Sequence, residues 1–186
     1  MARGRQLADD DALPVIVPRN DKPLVEVGSE RPRRLREHLI GVLRDLRTAK
    51  HLEYVATPTR PEPAGFPARV ARAACSLCKG WCCRNGGDDA FLDDATIARV
   101  RLANPDMTER AMLNLYLRRV PSVVFRNSCI FHGKNGCTLD RSLRADVCNV
   151  YYCGGLSAYM KLGATTPTRV IAGEADSIRT SPVLVP

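Results

Sequence analysis

The sequence predicts a small, mostly α protein, with irregular cysteine-bearing loops organised around metal, a preceding amphipathic helix and loosely ordered termini. Three observations point there. All eight cysteines of the 186 residues fall between Cys75 and Cys153, leucines recur at helical spacing over residues 33–50, and prolines crowd both ends and one short central stretch. With 45% hydrophobic residues the chain can bury a core, but at 5% aromatic that core is expected to be thin.

Residues 1–30 read as a flexible tail, broken by Pro14, Pro18 and Pro23. Asp9, Asp10 and Asp11 stand where a secretory apolar region would begin, and the longest apolar runs, such as Val15-Ile16-Val17, fall far short of the roughly 20 residues that span a bilayer. A cytoplasmic location with no transmembrane segment follows as an expectation. Residues 31–56 hold an amphipathic basic helix, strongest over 33–50. Leu35, Leu39, Val42, Leu43 and Leu46 form its apolar stripe, and Arg33, Arg34, Arg36, Arg44 and Arg47 lie on the other faces. That stripe is expected to pack on the domain that follows rather than on a membrane. Pro58, Pro61, Pro63 and Pro67 mark a semi-rigid linker over 57–67.

Residues 68–163 form the expected cysteine domain. Asp93 or Asp94 can cap a helix that Asn104-Pro105 ends, and Thr108 can cap another stopped by Pro121. Val123–Phe125 and Cys129–Phe131 read as short extended pieces around a Gly133–Gly136 turn, and a last helix runs from about Leu156 to Leu162. Residues 164–186 read as a C-terminal tail.

The cysteines carry the chemistry of this reading. In a reducing compartment clustered thiols serve as metal ligands or redox groups more often than as disulfides. Cys75, Cys78, Cys82 and Cys83 form one group, and Cys129, Cys137, Cys148 and Cys153 a second. Thiolates are soft donors suited to iron and zinc, and a Cys-x-x-Cys pair lets two sulfurs chelate one centre. All eight are candidate metal ligands. The spacings match neither paired zinc knuckles nor a ferredoxin, and iron–sulfur is given a slight edge over zinc. His132 is a further candidate ligand, although a surface histidine beside a turn is the preferred reading of it. Cys83, beside Arg84, is the candidate reactive thiol.

This arrangement resembles the CxxCxxCC family of zinc- or iron-chelating domains, to which the cysteine region of bacterial flagellin lysine N-methylases is similar. The resemblance rests on Cys75, Cys78, Cys82 and Cys83, on Cys129 and Cys137, and on Arg144-Ala-Asp-Val-Cys148 followed by Tyr152 and Cys153. It differs in having three residues rather than two before Cys82-Cys83, and Ala145 after the arginine where the family usually has proline. The resemblance implies metal binding, through an iron–sulfur cluster or zinc, without a settled activity.

The functional expectation is a cytosolic metal-binding protein whose partner is an ion or cluster. The alternatives are an iron–sulfur oxidoreductase or accessory to a protein-methylating enzyme, and a zinc-stabilised basic adaptor for nucleic acid or protein. A methyltransferase would need a glycine-rich nucleotide-binding turn, and none is apparent. The +8 formal charge is spread along the chain and aromatic residues are few, which argues against nucleic acid and leaves a protein partner open.

Overall fold

The computed structural model describes residues 11–48, 63–174 and 177–186. Its strands are β1 (Leu13–Pro18), β2 (Leu24–Glu26), β3 (Val123–Phe125), β4 (His132–Gly133), β5 (Gly136–Cys137), β6 (Thr168–Glu174) and β7 (Ser177–Thr180). Its helices are α1 (Glu30–Thr48), α2 (Gly65–Cys78), α3 (Asp94–Ala103), α4 (Glu109–Leu117), α5 (Asp146–Val150) and α6 (Gly154–Leu162), with 3-10 turns at Trp81–Asn85 and Arg141–Leu143. The expected proline-rich linker lies outside the described residues as far as residue 62.

Among the described residues the fold is mixed α/β with three small sheets, which corrects the expectation of a mostly α protein with loose termini. The segments that read as tails build a three-stranded sheet of order β1-β6-β7. β1 runs parallel to β6, from Leu13 opposite Thr168 to Pro18 opposite Gly173, and β7 is antiparallel to β6. The prolines do not forbid the strand, because β1 is an edge. Leu13 donates its N–H to the Pro167 carbonyl, so the odd-numbered amides face the sheet, and Pro14 and Pro18 fall where no donor is required.

The chain divides into two compact units. The first draws on residues up to Asp21, Pro61–Trp81 and Tyr152–Pro186. Alternation along its strands turns Val15, Val17, Val170 and Ala172 to one face, where they pack with Phe66, Val70 and Ala74 of α2 and Leu156 and Tyr159 of α6. Gly155 permits the approach of α6 to β1, since a Cβ there would lie 1.7 Å from the carbonyl oxygen of Ile16. Lys79, in the left-handed conformation at φ 50°, ends α2 and returns its N–H to Cys75. The buried Arg19 donates to the Leu77 carbonyl at 2.9 Å, and the Asn20 N–H reaches that of Cys78 at 2.8 Å, so the last carbonyls of α2 are satisfied.

The second unit comprises Lys22–Arg60 and Cys82–Tyr151. Leu35, Leu39 and Leu43 of α1 are fully buried with Ile97 and Val100 of α3, Met112 and Tyr116 of α4, and Ile130 and Phe131. Each such side chain contributes up to about 2 kcal/mol through burial. Asp93 caps α3 by accepting from the Thr96 N–H, and Thr108 caps α4 by accepting from that of Ala111. The Tyr116 hydroxyl donates to the Leu143 carbonyl at 3.0 Å, fixing the second 3-10 turn against the core. Strands β2 and β3 form one antiparallel pair, β4 and β5 another. Among the described residues, no helix is long and apolar enough to cross a membrane.

Candidate thiol site

Three of the eight cysteines belong to the first unit and five to the second. Cys75 is exposed on α2, Cys78 is buried in the first core with its sulfur accepting the Trp81 N–H, and Cys153 precedes α6 and accepts the Ser157 N–H on its carbonyl. Cys82, Cys83, Cys129, Cys137 and Cys148 lie in the second unit, and no disulfide joins any of the eight.

Cys82 and Cys83 sit on the 3-10 turn, and the backbone of Cys83 is stitched into the second unit. Its carbonyl accepts the N–H of Cys129 at 2.9 Å and that of Gly86 at 3.1 Å, and the Gly87 carbonyl accepts from Ile130 at 2.8 Å. Gly86 is required where it stands, because a Cβ would come 2.7 Å from the Cβ of Cys129. From α1, Arg31 reaches across to Asp88 and to the Ser128 carbonyl, and Arg34 takes the other oxygen of Asp88 at 2.6 Å. Burial raises the Asp88 carboxyl, but the hydrogen bonds from both guanidiniums outweigh it and hold the group below its ordinary value. This clamp holds the loop after Cys83 against α1 and the turn at Ser128–Cys129, where the structure has no extended piece.

The adjacent thiols are electrostatically unequal. Cys83 donates a hydrogen bond to the sulfur of Cys82, which, against the effect of burial and with help from backbone hydrogen bonds and the Arg144 charge, brings Cys82 down to about 7. The same hydrogen bond, together with burial, drives Cys83 far upward. Burial pushes Cys129 up to about 12 and Cys148 to about 11, although Cys148 as a whole residue is exposed. Cys137 stands opposite His132 in the β4–β5 pair. His132 is fully buried, not on the surface, with Nδ1 2.7 Å from the Ser128 hydroxyl and its ring 4.6 Å from that of Phe125.

These positions overturn the metal reading. Among the described residues, no group of three or more His, Cys, Asp or Glu side chains is arranged to hold a metal ion. Cys75, Cys78, Cys82, Cys83, Cys129, Cys137, Cys148 and Cys153 are therefore corrected as a ligand set, and with them the iron–sulfur or zinc cofactor, the ion or cluster as partner, and the metal-dependent functions. The physical reason is that confinement in sequence does not bring all eight to one centre. The cysteines are parted between two units, and Cys78 and Cys129 are core side chains. The resemblance to the CxxCxxCC family falls with the ligand set. Comparison with family models, with curated proteins and with solved structures found no match to this chain.

The reactive thiol is also relocated. The sequence singled out Cys83 beside Arg84; the asymmetry runs the other way, with Cys82 lowered and Cys83 raised. The charge that helps, Arg144, is 62 positions away, and no local pattern announces it. Asp93 serves as a helix cap and Asp88 as an arginine partner, so neither is free for acid–base work.

Proposed function

We propose that this chain is a metal-free thiol–disulfide redox protein, with Cys82 as the attacking thiolate and Cys83 as the resolving thiol. The observation that carries the reading is the adjacency of Cys82 and Cys83 on one turn, with Cys82 exposed and drawn down to about 7 while Cys83 is pushed upward. A thiolate present near neutral pH attacks a disulfide sulfur of a substrate and releases one substrate thiol. Cys83 then attacks Cys82 in the mixed disulfide, gives up its proton and releases the second thiol. Two electrons pass from the protein dithiol to the substrate disulfide, and a Cys82–Cys83 disulfide remains.

Adjacency supports a reversible rather than a structural bond. Neighbouring Cα atoms lie about 3.8 Å apart, below the roughly 4.4–6.8 Å that an unstrained disulfide favours, and strained disulfides are readily reduced. A cytosolic setting, with its pool of small dithiol and glutathione reductants, would return the pair to the reduced state.

Treatment with hydroxyethyl disulfide tests the proposal. The expected product is about 2 Da lighter, with both cysteines of the Gly80–Arg84 peptide linked, and Cys82→Ser should abolish this product. A Cys82→Ser protein that consumes the disulfide as fast as the parent would refute it.

A further inference from the structure

A half-open trough of about 600 Å³ runs between α1 and α4 in the second unit, away from the thiols. Ile40 and Leu43 of α1 and Leu113 and Leu117 of α4 give it an apolar floor, with Ile40 37% exposed. Arg47, in the last turn of α1, pairs at 2.9 Å with Glu109, in the first turn of α4, so the helices run antiparallel along the trough. The α1 wall uses positions 36, 40, 43 and 47, one continuous helical stripe about 16 Å long.

The charge on the rim is not balanced from within. Glu109 is already engaged by Arg47, whereas Arg36 and Arg110 have no hydrogen bond or ion pair among the described residues. These two guanidiniums mark opposite ends of the trough. Arg110 sits beside the Arg47–Glu109 pair, and Arg36 lies about 16 Å back along α1.

We propose that this trough docks an acidic amphipathic helix of a partner protein, its apolar face on the leucine and isoleucine floor and its carboxylates on Arg36 and Arg110. An apolar groove about three helical turns long is the shape that receives the i, i+3, i+4, i+7 anchors of such a helix. Positive charge at both ends selects acidic residues two to three turns apart, whereas a fatty acid or other single-headed amphiphile would leave one end unanswered.

The test is fluorescence anisotropy on the full chain with a labelled 16-residue amphipathic peptide carrying a leucine stripe and glutamates near both ends. Saturable binding is expected, weakened about tenfold by the double charge reversal Arg36→Glu/Arg110→Glu and reduced by salt. A scrambled peptide of the same composition, and one with lysine for every glutamate, should not bind. Both arginines are exposed, so thermal unfolding of the double variant should match the parent; if it does not, the lysine peptide against the unaltered chain decides alone. Absence of saturable binding, equal binding of the scrambled or lysine peptide, or displacement of the peptide by stoichiometric laurate would overturn the proposal.

Discussion

Replacing Cys83 with alanine removes the donor that does most to keep Cys82 ionised, and the consequence for reactivity can be worked out. With Cys82 at about 7, roughly half of it is thiolate at pH 7. Were the entire perturbation lost and the ordinary value of 9.0 restored, only about 1% would be ionised at that pH, roughly a fiftyfold fall. A more basic thiolate is the better nucleophile, however, and with a Brønsted slope of about 0.5 two units return roughly tenfold. The net effect at pH 7 is about a fivefold slower reaction, reversing above about pH 8, where the variant should react faster. Burial, the backbone hydrogen bonds and Arg144 all remain in the variant, so the midpoint should rise. Iodoacetamide labelling across pH, read by mass spectrometry on the Gly80–Arg84 peptide, measures both the midpoint and the crossover. A parent midpoint near 9, or an unchanged midpoint in Cys83→Ala, would refute the assignment of roles.

Gly155→Ala should destabilise the first unit by about 2 kcal/mol or more, because the new methyl meets the Ile16 backbone oxygen rather than a side chain that can swing aside; urea unfolding monitored by circular dichroism would register it. Arg31→Ala should cost about 2 kcal/mol by leaving Asp88 and the Ser128 carbonyl without their shared donor. Because Asp88 is held below its ordinary value, its stabilisation is present above that value and disappears as pH falls through the folded one. The variant should therefore lose less stability than the parent between neutral and strongly acidic pH, as thermal unfolding across that range would show.

What could be read from the sequence follows the range of the interactions involved. The caps at Asp93 and Thr108 and the extended segment at Val123–Phe125 were legible because each is decided within a few residues. The β1–β6 pair was not, since neither strand shows its partner locally and the prolines that suggested a tail are compatible with an edge. The cysteines misled for a related reason. Eight thiols within one stretch suggest a shared centre only if the chain folds that stretch upon itself, and here two cores claim different members. Cys82 stood in the motif from the start, but its advantage over Cys83 depends on the direction of one hydrogen bond and on a distant arginine, which spacing does not encode.

The parallel pairing of β1 with β6 also sets an order of assembly. Its partners, Leu13 and Thr168, are about 155 positions apart, so closing the intervening chain costs about 4–5 kcal/mol of entropy beyond a constant, against roughly 1 kcal/mol for a short hairpin. During synthesis every segment of the second unit leaves the ribosome before β6 does, whereas the first unit cannot complete its sheet until β6 arrives. The turn bearing Cys82 and Cys83 thus belongs to the portion able to fold early, and truncation before residue 168 should leave β1 without a partner while sparing the sequence of the thiol site.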